Sequence, residues 1–143
     1  MISMANQKLT VPITFDMDIS YALTAGQLPS QYVLGTFTPL GQTGASYSTF
    51  PVPAGLSFTV LNYKILSALT TDMYLSAILS GTLQSSNVKA NYFNASLQKP
   101  SVLSSPITAG PTETISLIAY PTSTVTTAST QVVTATCMLA PVA

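Results

Sequence analysis

Residues 8–23 read KLTVPITFDMDISYAL, and every second residue is apolar: Leu9, Val11, Ile13, Phe15, Met17, Ile19, Tyr21 and Leu23. The positions between them are Lys8, Thr10, Pro12, Thr14, Asp16, Asp18, Ser20 and Ala22. In extended chain successive side chains point to opposite faces, so a period of two specifies a strand with one buried face. The run is longer than the usual strand of about 3–10 residues. It is therefore one very long strand or two strands sharing a bend. Pro12 lacks the amide proton that a ladder needs and predicts a sheet edge or a bulge at that point.

Outward from this stretch the same alternation recurs. A turn around Gly26 and Pro29 leads to a strand over residues 32–38. Residues 39–55 hold Pro39, Gly41, Gly44, Pro51, Pro53 and Gly55 and read as a long ordered surface loop, a length usually associated with function. Leu56, Phe58 and Val60 alternate, and then the phase slips to Leu61, Tyr63 and Ile65. A slip of one residue reverses the buried face unless a bulge absorbs it. Leu61, Ile65, Ala68 and Leu69 also fit helical spacing, so a short helix competes there.

Alternation resumes at Met73, Leu75, Ala77 and Leu79, and Ser80-Gly81 marks a turn. Val88, Ala90 and Tyr92, then Phe93, Ala95 and Leu97, continue the pattern. Lys99-Pro100 and residues 104–112 read as loops, followed by a strand through Ile115, Leu117 and Ala119 that ends at Pro121. The Thr-rich link 122–130 reads as an ordered edge, because Thr favours extended chain, and the final strand covers residues 131–140. About eight strands separated by turn signals predict an all-β antiparallel sandwich, occupying residues 1–143 as one domain. An eight-stranded single jelly roll is the expected form, with an immunoglobulin-like sandwich as the alternative.

The composition excludes several function classes. Charged residues are 6% of the 143, against roughly 25% in an average soluble domain. They are Lys8, Lys64, Lys89 and Lys99 balanced by Asp16, Asp18, Asp72 and Glu113, with no His, Arg or Trp. Without His neither a Ser-His-Asp nor a Cys-His arrangement can be assembled, and the sequence predicts no enzyme and no cofactor. Four scattered lysines at zero net charge make no phosphate-binding footprint, so no direct contact with nucleic acid is expected. Cys137 is the one cysteine and stands in phase with Val133, Ala135 and Leu139, the pattern of a small buried thiol. The start Met1-Ile2-Ser3-Met4 has neither a basic region nor an apolar stretch, and predicts no secretory signal.

A few residues stand out as candidate sites. Asp16 and Asp18 share the outer face of the first strand, where two carboxylates suit a hard cation but more often form a solvated face that discourages edge pairing. Asn94-Ala95-Ser96 is the one acceptor tripeptide for an N-linked glycan, at Asn94. Tyrosine numbers seven, and Tyr47 and Phe50, inside the Pro/Gly-rich loop, are the expected aromatic contacts with a neighbouring subunit.

The charge deficit is itself informative. Ser and Thr together number 39, so hydroxyls have taken the place of ions. A surface of this kind packs against copies of itself without burying unpaired charge, and a chain of zero net charge tends to associate. With so few titrating groups, stability is expected to stay nearly flat from about pH 2 to 8.

In length, Ser/Thr-rich alternating strands, scarcity of charge and want of an export signal, the chain resembles the single jelly-roll capsid proteins of icosahedral double-stranded DNA viruses, especially those of archaea in hot acidic springs. The resemblance implies a capsid subunit of the virion, partnered by copies of itself and by other capsid proteins. The alternatives are an extracellular filament or pilus subunit that donates strand 9–23 to its neighbour, and a virion turret or host-recognition domain whose 39–55 loop binds a receptor.

Overall fold

The structure is a computed structural model and describes residues 11–40, 45–64, 71–83, 88–89 and 106–142. These residues form ten strands and no helix. They are β1 (Ile13–Leu23), β2 (Val33–Phe37), β3 (Phe50–Pro51), β4 (Leu56–Lys64), β5 (Met73–Leu79), β6 (Thr82–Leu83), β7 (Val88–Lys89), β8 (Ile107–Ala109), β9 (Thr114–Pro121) and β10 (Ser129–Pro141). Every pairing is antiparallel. The strands run β6-β5-β9-β2-β1-β10-β4-β8 across one curled sheet, with β3 added to β9 and β7 added to β5. The short strand β2 is the hinge of the curl. It pairs with β1 at residues 35–37 and with β9 at residues 33–34.

β1 is a single strand, paired with β10 in unbroken register from Ile13↔Leu139 to Leu23↔Ser129. Its inward set Met17, Ile19, Tyr21 and Leu23 is buried, while Thr14, Asp16, Asp18 and Ala22 are exposed. Pro12 lies just before the strand, where its missing amide proton costs nothing. Small residues on β10 lie between larger ones on both sides, in the rows Met17–Ala135–Tyr63 and Phe15–Cys137–Val60. On the other half of the sheet the sizes alternate likewise, Leu75 facing Ala119 and Ala77 facing Leu117. Interiors pack at crystal-like density only when large and small side chains interdigitate in this way.

The phase slip in β4 is a bulge. Thr136 faces Asn62 and Cys137 faces Val60, which leaves Leu61 as the extra residue and returns Tyr63 to the core face. Residues 61–64 are therefore strand, and the rest of the stretch that fits helical spacing, 65–70, lies outside the described residues. The turn at Ser80-Gly81 has positive φ at both positions, 47° and 84°, the geometry that matches the twist of a tight hairpin between β5 and β6.

Two expectations need correction. Residues 107–109, expected in a loop, form β8 against β4, an edge strand cut to three residues by Pro106 and Gly110. The described part of the 39–55 loop is not a free surface loop either. Tyr47 bridges to Phe37, β3 pairs with β9, and Phe50 and Val52 enter the core.

Candidate functional site

β9 is buried on both faces. Ile115, Leu117 and Ala119 face the main core, while Ser116 and Ile118 are covered on the other side. On that outward side the register sets Tyr74 opposite Tyr120 across β5 and β9, and Tyr32, just before β2, stands beside Tyr120. Tyr32 meets Tyr120 edge to face, with ring centroids 5.8 Å apart at 74°. Tyr74 and Tyr32 remain 39% and 46% exposed. The next row is Ser76, Ile118 and Leu34, of which Leu34 is exposed, and beyond it Leu83 stands exposed opposite Ile78. This face therefore presents aromatic and aliphatic side chains to solvent.

The β5–β9 ladder continues past its last strand pair into a polar groove. The backbone N–H and the Oγ1 of Thr122 both donate to the carbonyl of Asp72, at 3.2 and 3.4 Å. The Asp72 carboxylate accepts from the N–H of Met73 at 2.9 Å. The open groove has a volume of about 580 Å³ and is lined by Thr71, Asp72, residues 122–127 and Ser129. Val125 is its one apolar lining residue among the described residues and is pinned in place from both sides. Its carbonyl accepts from Gly26 N–H at 2.8 Å, and its N–H donates to the Gln27 carbonyl at 2.9 Å. Gly26 has φ +87°, which a side chain would resist. Among the described residues the lining offers hydroxyl donors and acceptors and a single carboxylate, with no Lys and no paired acid and base.

The outer face of β1 and β10 is different in kind. Thr134 Oγ1 donates to Asp18 Oδ1 at 2.7 Å and Thr136 Oγ1 to Asp16 Oδ1 at 2.9 Å, across the two strands. Lys64 stands 3.8 Å from Asp16, both side chains about half exposed. The two carboxylates thus sit in a cross-strand lattice of hydroxyls with a cation beside it, and among the described residues no group of three His, Cys, Asp or Glu gathers there.

The structure places the other sequence-derived candidates as follows. Phe50 is only 2% exposed, its ring 5.6 Å from Phe58 and 5.2 Å from Tyr47, so it is a core residue with no surface left to offer a neighbouring subunit. Tyr47 is partly buried against the same cluster. Asn94 lies outside the described residues. Cys137 is free and buried, and burial pushes its thiol up to about 12, with the Asp16 charge adding to the rise. Sequence reading singled out seven tyrosines without distinguishing the row Tyr32, Tyr74, Tyr120. The signal was phase: Tyr74 falls between the inward Met73 and Leu75, and Tyr120 between the inward Ala119 and Pro121.

No family model and no curated protein matches the chain. Its function must be argued from the fold and from these surfaces.

Proposed function

We propose that this chain is the structural subunit of a self-assembling coat, a capsid protein with a single jelly-roll fold. The observation behind this reading is the strand order. With β3 set aside as a two-residue addition, and β6 and β7 counted as one strand because they pair in succession with β5, eight strands remain. Numbered along the chain, they fall as first-eighth-third-sixth (β1-β10-β4-β8) and second-seventh-fourth-fifth (β2-β9-β5-β7). Two Greek keys wound on one another would give that order, which supports a jelly roll of the kind on which many viral shells are built.

The surface supports the same reading. Asp16, Asp18, Asp72 and Glu113 each accept a hydrogen bond from within the chain, so few unpaired charges would be desolvated when copies pack together. The exposed Tyr32, Leu34, Tyr74 and Leu83 supply the aromatic and aliphatic contact that subunit interfaces favour. Partners are then copies of this chain and other coat proteins, and the place of work is the virion. A filament built by donation of the first strand fits less well. In this chain β1 already lies between β10 and β2, paired to both.

Negative-stain electron microscopy and light scattering of the full chain at pH 3 and pH 7 test the proposal. Closed shells, hexagonal sheets or discrete rings are the expected products. A monodisperse monomer at both pH values overturns it, and fibres that vanish when residues 1–23 are removed would replace it with strand donation.

A further inference from the structure

We propose that the groove at Asp72 and Thr122, together with the tyrosine row beside it, is a binding site for a neutral oligosaccharide. A sugar ring has a flat face of C–H groups and a rim of hydroxyls. It needs an aromatic surface for the first and paired donors and acceptors for the second. Here both lie on one side of the sheet. Met73 and Pro121 point inward and are buried, so Asp72 and Thr122 occupy the next outward positions beyond Tyr74 and Tyr120. Two residues of strand advance roughly 7 Å, so a short chain of sugar units resting on the rings reaches into the groove.

The groove's chemistry selects for neutrality. Hydroxyls of Ser and Thr dominate its lining, its one charge is the Asp72 carboxylate, and no cation lines it among the described residues. A carboxylate is an acceptor for neighbouring sugar hydroxyls and repels sialic, uronic or sulfated units. The walls are also held in shape before any ligand arrives. Thr122 is tied to Asp72 by two hydrogen bonds and Val125 to the β1–β2 turn by two more, which lowers the ordering cost of binding. The site shares Tyr32 and Tyr74 with the surface offered above for contacts between copies, yet the two readings fail separately, because sugar binding is read by titration and assembly by microscopy and light scattering.

The test is a titration of the full chain, followed by NMR chemical shifts, with neutral malto-, manno- and chito-oligosaccharides at millimolar concentration and a sialylated oligosaccharide as the contrast. The expected result is a saturable shift from at least one neutral probe, confined to Tyr32 and to residues 71–74 and 120–129. Thr124→Val, at an exposed lining position, and Tyr74→Ala should each weaken that binding at least tenfold while the melting temperature stays unchanged. No response to any neutral probe, shifts centred elsewhere, a preference for the sialylated probe, or full affinity in both variants would each overturn the proposal.

Discussion

The ring of Tyr21 lies against the bare Cα of Gly35: a methyl group built there would stand 2.8 Å from Tyr21 Cε1 and 2.4 Å from Ile19 Cγ2. The two residues are register partners at the junction of β1 and β2, where the sheet turns from one half to the other. Tyr21 is fully buried, so its ring has nowhere to retreat. The third neighbour is the Leu117 carbonyl at 3.1 Å, which is backbone and cannot rotate away. Overpacking of a filled core costs about 1–3 kcal/mol, and Gly35→Ala should fall at the upper end of that range. Urea unfolding measures it, and a variant as stable as the parent would show that the junction is loosely packed.

Stability should fall on the alkaline side. Burial raises the Cys137 thiol from its ordinary 9.0 to about 12 and raises both Tyr21 and Tyr63 well above the usual tyrosine value. Each group holds its proton in the folded chain at a pH where the unfolded chain has released it. Their contribution is therefore complete below about pH 9 and drains away as pH climbs toward the folded values. For Cys137 alone the loss is on the order of 3–4 kcal/mol by pH 12. Urea midpoints should fall steadily from pH 9 upward, and Cys137→Ala should remove the earliest part of the fall. On the acid side the composition, with no His and four carboxylates, keeps the curve nearly flat from about pH 2 to 8. A midpoint steady to pH 11 would contradict the burial of these three groups.

Cys137 should be chemically silent in the native state. The thiolate is the reactive form, and here the thiol is both buried and held protonated. Alkylation then requires global opening, so native protein at pH 8 should react with iodoacetamide at least about a thousandfold more slowly than protein in denaturant. Modification at a comparable rate would mean that β10 frays from β4 without unfolding the rest.

How far the sequence spoke for itself depended on whether a feature was local. The alternation of residues 9–23 was decisive because one strand's pattern sits wholly within one stretch, and its described part after Val11 and Pro12 is the strand Ile13–Leu23. The slip at Leu61 left a bulge and a short helix both open, and only its partners Thr136 and Cys137 decide for the bulge and fix where the extra residue falls. β8 was missed since three residues between Pro106 and Gly110 hold too little periodicity to register. Phe50 was misplaced because Pro and Gly around it signal a turn, while its burial comes from Phe58 and Tyr47. The groove could not be foreseen at all. It exists because Asp72 meets Thr122, fifty residues further on, and no local pattern encodes that meeting.

Thr112 offers a direct way to stabilise the fold. Its φ is +64°, in the left-handed region that β-branched residues avoid. The turn keeps it there because Thr112 N–H donates to the Val52 carbonyl at 3.0 Å, while the Glu113 carbonyl accepts from Val52 N–H at 2.8 Å, joining the β8–β9 turn to the segment after β3. Glu113 Oε1 closes the same turn on Gly110 N–H at 2.6 Å. None of these bonds uses the Thr112 side chain. Replacing it with Asn, which tolerates left-handed backbone, should remove strain of about 1 kcal/mol and leave the hydrogen bonds intact. Thr112→Asn should therefore raise the melting temperature by a few degrees, whereas Glu113→Ala, which opens the turn, should lower it. A Thr112→Asn variant that melts below the parent would mean that the turn is held by something other than these backbone contacts.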